Sequence, residues 1–444
     1  MKRARPAVAA ALAALLLAAL PAALRAQPTA VPDPARYFNP EDFSSEALYA
    51  TGLVGVGARA MGMAGNYTGI ADDATALVYN PAGLAQLLRI EVDLGMHHLN
   101  DVSTSSMFGV ATPAGVTHTG IDHAAFAYPF PTYRGSLVAG FGVFRARSND
   151  LVEARRDQRR GTNYTFNDEF RRAQQGGVYR YTGGFGVDLM RSLSFGASIS
   201  YWEGQLQDDQ YRRIDEVVTG NVPLRYEDRL VTESDVDGFS FDLGLLGYVS
   251  RRARLGLVLH SPVWYDIEGG GERVREATSG AESTSQLLYI DQQPSVPWSL
   301  TCGGSVALGP LLVAGDLRFA AWDEIDLDPV SFGPGDDLPL ESPGYSSTMG
   351  GGVGVEVAVP RSPLRLRGGF SYDPEPYDLL LGNPATMVQE RRTWTIGGGL
   401  QLADAFVLDA GYVNATFERA DATYAAVTEN REQRRYYLTA GYRY

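Results

Sequence analysis

A repeated alternation of apolar with polar or small residues constrains this chain more than any other feature. Residues 90–96 alternate in this way, and so do residues 193–201. Alternation of this kind predicts β-strands whose two faces meet different environments. We predict fourteen strands, near residues 89–99, 119–130, 135–147, 177–190, 193–206, 237–249, 252–267, 297–309, 311–325, 346–359, 363–373, 391–403, 405–419 and 433–444.

The connections between these strands alternate strictly between short and long. Short ones fall at 131–134, 191–192, 250–251, 310, 360–362 and 404, and long ones at 100–118, 148–176, 207–236, 268–296, 326–345, 374–390 and 420–432. Short periplasmic turns, long external loops and an even strand number are typical of outer-membrane barrels. A soluble sandwich has no reason to sort its loops in this way. The prediction is an all-β fold, a fourteen-stranded antiparallel transmembrane β-barrel over residues 89–444.

Both ends of the chain agree with a bacterial outer-membrane destination. Residues 1–26 combine a basic start, an apolar run and a small residue before Gln27, which predicts a cleaved secretory signal peptide. In the last strand, one face carries Tyr436, Leu438, Ala440, Tyr442 and Tyr444. Such a row, ending in a terminal aromatic residue, is similar to the signal that barrel-assembly machinery reads, so that machinery is an expected partner.

Residues 27–88 do not alternate. They contain a proline-rich stretch to Pro40, then small residues, which indicates loops and short helices. This segment is too long for a plain tail ahead of a barrel. We predict that residues 27–88 form an N-terminal hatch, or plug, inside the lumen.

Charge and motifs exclude several other functions. Without residues 1–26, the chain has 34 basic and 52 acidic side chains, a balance that argues against nucleic-acid binding. Cys302 is the single cysteine, so no internal disulfide forms. No zinc-protease motif or nucleophile elbow occurs. His97 and His98 are adjacent, so on a strand they point to opposite faces and cannot share a metal. We therefore expect no enzyme activity, no metal and no cofactor.

The hatch segment resembles the outer-membrane transporters of long-chain fatty acids and other hydrophobic compounds, the FadL type. The resemblance rests on Gly57–Gly65, on the Ala-Asp-Asp-Ala-Thr-Ala run at 71–76, and on the triplet Asn80-Pro81-Ala82. It implies a fourteen-stranded barrel closed by an N-terminal hatch that contains this triplet. Barrels that act in secretion, or as scaffolds for surface lipoproteins, have a similar glycine-rich entry segment.

The triplet Asn80, Pro81 and Ala82 has two interpretations. Asparagine tolerates turn conformations, and proline disfavours helix in the residue before it, so the triplet could simply end a helix ahead of the first strand. Alternatively, it fastens the hatch to the wall and shapes the route of a ligand.

Three of the five tryptophans are predicted to face the lumen near its outer mouth. By strand parity, Trp202 lies on the face opposite the lipid row 193–201, Trp264 shares a face with His260, and Trp322 shares one with Arg318. Apolar rings there suit a hydrophobic ligand, with Arg318 or His260 available to a carboxylate. The alternatives are packing beneath the loops, or a parity change caused by a bulge near the rim.

The third predicted strand contains Gly140 and Gly142 on one face. The family releases ligand sideways through a kinked third strand, which makes these glycines candidates for a lateral opening. Alternatively, they leave room for the hatch. Acidic loops such as Asp208-Asp209 indicate solvated surface, although bridging to lipopolysaccharide through divalent cations is also possible.

Together, these features predict a monomeric outer-membrane barrel that moves hydrophobic small molecules passively and lies among outer-membrane lipid and lipopolysaccharide. Fatty acids or related hydrocarbons are the expected ligands. The alternative is a scaffold for secretion or for surface-protein partners. Lumen chemistry separates them, because a continuous apolar path favours transport and a polar, fully plugged interior favours the scaffold.

Overall fold

The computed structural model describes residues 55–107, 109–221, 223–278, 283–325, 346–374, 376, 387–388, 390–402, 405–421 and 427–444. The chain divides into two units, Met1–Ala47 and Leu48–Tyr444, of which only the second contains described residues. The predicted signal peptide, residues 1–26, and the first part of the predicted hatch, residues 27–54, lie outside the described residues. Among the described residues, no helix has the length and apolar character needed to cross a membrane.

The described part of the predicted hatch, residues 55–88, is built from short helices and turns; we keep the name hatch for these residues. Helix α1 spans Ala58–Met61, helix α2 spans Ala76–Tyr79, and a 3-10 helix spans Pro81–Gln86. Pro81 suits the first position of that 3-10 helix, where a backbone N–H has no partner to lose. Almost all hatch side chains are buried, so this segment forms the core of the molecule.

The wall follows directly from the hatch and is entirely strand. Its elements are β1 Glu91–Met107, β2 Val110–Phe130, β3 Leu137–Ser148, β4 Leu151–Arg160, β5 Tyr164–Met190, β6 Leu193–Val218, β7 Leu224–Tyr248, β8 Ala253–His260, β9 Val263–Ala277, β10 Thr284–Gln292, β11 Ser295–Val296, β12 Ser299–Leu308, β13 Leu311–Ala320, β14 Thr348–Ala358, β15 Leu364–Asp373, β16 Met387–Val388, β17 Arg391–Leu402, β18 Phe406–Asp421 and β19 Val427–Arg443.

These strands occupy fourteen positions in an antiparallel wall, because β3–β4, β8–β9, β10–β11–β12 and β16–β17 each continue one position. β1 pairs with β2 on one side and with β19 on the other, from Glu91 opposite Arg443 to Met107 opposite Val427. The wall is therefore a closed ring, which leaves no edge in the hydrocarbon. The predicted fourteen-stranded barrel is confirmed.

Side-chain burial along the strands is inverted relative to a soluble protein. In β1, Val92, Leu94 and Met96 are exposed on the outside, while Glu91 and Asp93 are buried inside. The last strand behaves in the same way, with Tyr436 and Leu438 exposed and Tyr437 buried. An apolar outer belt around a polar interior is what a transmembrane barrel requires.

The outer ends of the strands differ from the prediction. Much of the segments predicted as loops, 100–118, 148–176, 207–236 and 268–296, continues the strands as hairpins. β5 has 27 residues, whereas a membrane crossing needs about 9–11. The barrel therefore rises well beyond the bilayer on the side of β4 to β10, while β12 to β15 end much lower.

Candidate ligand site in the barrel lumen

The hatch docks on glycines that line the inner face of the wall. A Cβ atom at Gly196 would lie 2.2 Å from the backbone nitrogen of Ala82, and one at Gly256 would lie 2.3 Å from the carbonyl oxygen of Thr68. Side chains at these positions would displace the hatch. This glycine belt comprises Gly186, Gly196, Gly244, Gly256, Gly352, Gly354, Gly369, Gly397 and Gly411, each within 3.2 Å of a hatch atom when given a Cβ.

The triplet at the end of the hatch ties it to the wall. The Asn80 Nδ2 donates to the carbonyl oxygens of Thr68, at 3.0 Å, and Leu245 of β7, at 3.1 Å. Its Oδ1 accepts from the backbone nitrogen of Ala82 at 3.1 Å, which caps the 3-10 helix. Asn80 therefore ends one helix, caps the next and hydrogen-bonds to the barrel wall.

A second attachment is ionic and lies toward the inner mouth. Arg59 of α1 donates to Glu356 of β14 at 3.0 Å and also pairs with Asp72 of the hatch. Glu356 in turn accepts from Arg367 at 2.7 Å, and Arg367 reaches Asp409 at 2.6 Å. We call these five residues the hatch latch.

The charges within the latch shift the pKa values of Asp72 and Arg59, its two members that belong to the hatch. Burial alone would raise the pKa of the Asp72 carboxyl, but Arg59 and then Arg254 outweigh it and hold that pKa below its ordinary value. Burial would lower the pKa of Arg59, but Asp72, Tyr67 and Glu356 raise it well above its ordinary value. Both groups are thus charged at neutral pH, and the pair is intact.

Beside the latch, a cavity of about 60 Å³ opens between the hatch and the wall. Its lining is rich in ionisable side chains, which are Arg59, Asp73, Glu91, Asp93, Arg365, Arg367, Asp409 and Arg443. An apolar molecule would gain little by entering this space, because it would displace water from charged groups.

Above the hatch, the lumen contains a cluster of apolar side chains. Trp202 and Tyr265 contact edge to face, with ring centres 5.9 Å apart. Trp322 lies in the same cluster, in the 3-10 helix Trp322–Glu324 that follows β13. We call this group the aromatic cluster; its buried members are Val178, Trp202, Val236, Tyr265, Ile267, Val296 and Trp322.

A polar floor separates the aromatic cluster from the hatch. Asp242 of β7 accepts from His260 at 2.7 Å and from Arg180 at 3.3 Å. Ser198 lies 3.4 Å from the same carboxylate and donates to the carbonyl oxygen of Leu77 in α2 at 3.3 Å. The predicted residue His260 therefore lies beside the cluster, with a carboxylate partner already in place.

Several polar atoms next to the aromatic cluster have no hydrogen-bond partner among the described residues. They are Arg147 Nη1, Arg180 Nε and both side-chain polar atoms of Asn149. The guanidinium groups lie over aromatic rings, Arg147 at 5.8 Å from Tyr265 and Arg180 at 5.6 Å from Trp202. Buried donors are normally satisfied, so the nitrogen atoms of this group suit an oxygen of a ligand or of water, whereas the Asn149 Oδ1 can only accept.

The orientation predicted for Trp264 is wrong. Trp264 is exposed and stacks against Phe239 on the outer face, and Tyr265 takes the inward position instead. The reason is the break at 261–262 between β8 and β9, where three residues oppose two of β7 and the parity reverses. Pro262, inside a predicted strand, was the signal for this break.

Arg318 points into the lumen but is already paired, with Asp373 at 2.8 Å. It is half-buried and lies outside the aromatic cluster. The structure therefore brings together Trp202, Trp322 and His260, and it separates Trp264 and Arg318 from them. Sequence reasoning missed Tyr265, Arg147 and Arg180, which come from three different strands.

Gly140 and Gly142 lie in a regularly paired part of the wall. β3 pairs with β2 from Leu137 to Phe144, and a Cβ at Gly140 would lie 3.3 Å from Leu77 of the hatch. The break in this wall position comes further out, between Ser148 and Leu151. Room for the hatch thus accounts for Gly140.

Above Phe144, β2 and β3 no longer pair, and β4 lies close to both β2 and β1. Among the described residues no ladder joins the outer half of β2 to β4, but the Ser103 Oγ of β1 donates to the carbonyl oxygen of Val152 in β4 at 3.2 Å. Polar side chains lie where the pairing of β2 and β3 ends. Arg145 contacts His97 at 2.8 Å and Asp150 at 2.9 Å, and His118 lies 3.5 Å from Asp150.

The outer lumen above the aromatic cluster is lined by ion pairs. Arg172 pairs with Asp208 at 2.7 Å, and Arg212 pairs with Asp168 at 2.6 Å. A continuous apolar path is therefore absent from the described residues, and the lumen combines an apolar site with polar zones on both sides. No group of three or more His, Cys, Asp or Glu side chains in the described part of the chain is placed to hold a metal.

Comparisons with known proteins agree with this architecture. The chain is similar to a Pseudomonas aeruginosa FadL homologue, with 13% identity, a TM-score of 0.59 and coverage of 87% of this chain and 98% of that one. It is also similar to the P. putida toluene transporter TodX, with 16% identity, a TM-score of 0.62 and coverage of 88% and 99%. The Ralstonia pickettii toluene transporter TbuX gives 16% identity, a TM-score of 0.57 and coverage of 88% and 99%.

A family model described as BamG matches residues 52–264, slightly less than half of the chain. No curated protein matches. The resemblance to FadL-type transporters is confirmed at the level of the fold, and the chain is a bacterial outer-membrane barrel.

Proposed function

We propose that this barrel is a passive outer-membrane channel for hydrophobic small molecules, with long-chain fatty acids or related compounds as ligands. The observation that carries the proposal is the aromatic cluster, because Trp202, Tyr265 and Trp322 are large apolar side chains inside a lumen. A channel for water and ions has no use for them, whereas an apolar ligand gains about 25 cal/mol for each Å² it buries against them.

In this proposal, the ligand enters past the ion-paired outer lumen and binds at the aromatic cluster. An acidic head group would be met by Arg147 Nη1 and Arg180 Nε, which border the cluster and have no hydrogen-bond partner among the described residues, although another nitrogen of Arg180 pairs with Asp242. These arginines replace Arg318, which is occupied by Asp373. The role of His260 in this proposal is indirect. It hydrogen-bonds to Asp242 and so holds that carboxylate in position to pair with Arg180.

Release then follows one of two routes. The inner route requires movement of the hatch, which is fastened at Asn80 and by the latch at Arg59. The sideways route passes between β2 and β4, which no ladder joins among the described residues, rather than at Gly140 and Gly142, and it requires β4 to move away from β1. The sideways route leaves the hatch in place, which suits the tight fit of the hatch on the glycine belt.

The test is ligand binding to purified protein with the two inward tryptophans replaced. Titration of Trp202→Ala/Trp322→Ala with a fluorescent long-chain fatty acid should show affinity at least tenfold weaker, because burial of one large apolar side chain contributes about 1.5–3 kcal/mol. Trp264→Ala is the matched control, since Trp264 faces lipid, and its affinity should be unchanged. Unchanged affinity in the double variant would overturn the proposal.

The alternative, a scaffold for protein partners, draws support from a different observation. The hatch fills the inner lumen backbone against backbone, and ion pairs line the outer lumen, so much of the interior is plugged and polar. Absence of any fatty-acid binding to the unmodified protein would favour this function.

A further inference from the structure

One strand of the outer extension has an edge that no described strand covers. β10 pairs with β9 along its whole length, from Thr284 opposite Arg275 to Gln292 opposite Ile267. On its other side, the neighbouring wall position is β13, which ends at Ala320 opposite Ser299 of β12. Among the described residues, none pairs with β10 there. The backbone N–H and C=O groups of alternate residues of β10, about half of the nine, thus point away from β9 along this edge.

The outward face of β10 is apolar at a height where no lipid is expected. Leu287 and Tyr289 are 79% and 60% exposed. Ser295, further down the same wall position, lies opposite the lipid-facing Trp264. At about 3.3 Å per residue, Tyr289 lies roughly 20 Å along the strand beyond that level. The two side chains therefore project from the barrel above the membrane.

This part of the surface is also acidic. Pointing outward in the same hairpin are Asp266, Glu268, Glu272, Glu276 and Asp291. The arginines of β9 do not offset them, because Arg273 and Arg275 turn inward to Asp228. Asp291 lies directly opposite Glu268. The apolar edge is therefore bordered by uncompensated negative charge.

Edge strands that stay unpaired are usually protected by proline, by a bulge or by early termination. β10 contains no proline, and its register with β9 is unbroken over nine pairs. Its inner face is anchored, since Leu288 is buried and Ile290 packs against the aromatic cluster. In the part of the chain that the structure describes, this edge is therefore a stable template with none of these three protections.

We propose that the free edge of β10 accepts an extended segment of a partner protein as an additional β-strand. Main-chain hydrogen bonds along the edge would supply affinity, as in other cases of strand addition. The added strand would place apolar side chains beside Leu287 and Tyr289 and basic side chains near Asp291 and Glu268. A second copy of this chain is disfavoured as the partner, because two acidic edges would repel each other.

The test uses the full-length protein in detergent and three labelled nine-residue peptides, measured by fluorescence anisotropy. One peptide alternates valine and arginine, one alternates valine and glutamate, and one is the arginine peptide with proline at two central positions. The arginine peptide should bind. The glutamate and proline peptides should bind at least tenfold more weakly, since one opposes the charge and the other lacks backbone donors.

Two variants locate the binding. Leu287→Ser/Tyr289→Ser should weaken binding of the arginine peptide at least fivefold, whereas Val217→Ser, at the top of another hairpin and similarly exposed, should leave it unchanged. Circular dichroism checks that each variant keeps its β-sheet content. Equal binding of the arginine and proline peptides would overturn the proposal. The proposal would also be overturned if the arginine peptide did not bind. It would likewise be overturned if the chain associated with itself, and the Leu287→Ser/Tyr289→Ser variant abolished that association while leaving peptide binding unchanged.

Discussion

Asn80 of the hatch donates a hydrogen bond to the carbonyl oxygen of Leu245 in the barrel wall, across 3.1 Å and 165 positions of sequence. The same amide nitrogen reaches Thr68, and the amide oxygen caps the next helix. One wholly buried side chain thus joins two parts of the hatch to β7. This geometry makes Asn80 the natural first residue to test.

Asn80→Ala should loosen the hatch without opening the ring of strands. It removes the donor from two buried carbonyl groups, each of which costs about 1–3 kcal/mol when left unsatisfied. We expect a lower unfolding temperature and larger single-channel conductance in a planar bilayer. His98→Ala, on the outer face, serves as the control and should match the unmodified protein. Unaltered conductance and stability in Asn80→Ala would contradict this role.

Gly196→Ala tests the glycine belt. The added Cβ would lie 2.2 Å from backbone atoms of Pro81 and Ala82. Because backbone atoms cannot rotate away as a side chain can, the 3-10 helix must move away from the wall. Limited proteolysis should then cleave the hatch faster. Gly183→Ala adds the same atom one strand away, where the nearest atom is 4.0 Å distant, and cleavage should stay at the original rate. Equal rates of cleavage in both variants would show that the glycine belt does not hold the hatch against the wall.

The hatch latch predicts a particular dependence on pH. The pKa of Asp72 is depressed in the folded protein, so its contribution to stability is complete above the unfolded value of about 3.9 and is lost as the pH falls through the depressed value. Asp72→Asn should therefore lower the unfolding temperature at pH 7, and the difference should shrink below about pH 4. A difference that is constant from pH 7 to pH 3 would contradict the role of this charge.

Arg147 should distinguish acids from neutral ligands. Its Nη1 has no hydrogen-bond partner among the described residues, so a carboxylate is its expected acceptor. Arg147→Met keeps much of the apolar stem over Tyr265 and removes the charge. Binding of a fatty acid should weaken about tenfold, as loss of a charge-assisted hydrogen bond implies. Binding of its methyl ester should not change. If both ligands bind as before, Arg147 does not contact the head group.

The sequence predicted the membrane-spanning part of this fold well, for a physical reason. Between lipid and a wet interior, each strand must alternate, so residues 90–96 and 193–201 show their faces directly. Above the bilayer, residues 207–236 carry polar side chains on both faces and show no such alternation, so they resemble a loop although they form a hairpin. The alternation in the sequence therefore marks only the membrane-spanning part of each strand, and the strands extend beyond that part.

The candidate site was harder to predict because it depends on pairs far apart in sequence. Nothing near Arg318 indicates that Asp373 neutralises it, 55 positions later. Trp264 faces lipid because one extra residue beside Pro262 reverses the strand parity. By contrast, Trp202 needed only local parity, and Trp322 also lies in the lumen although it follows the end of β13 in a 3-10 helix.

The junction between the first and last strands links the hatch to the making of the barrel. The hatch bonds to both sides of this seam, since Ala58 donates to Thr439 of β19 at 2.9 Å and Ala74 lies 3.4 Å from Glu91 of β1. The docked hatch thus supports the closing pair of strands on both sides. We therefore expect docking of the hatch and closure of the ring to depend on each other, and a chain without its hatch to assemble slowly into the membrane.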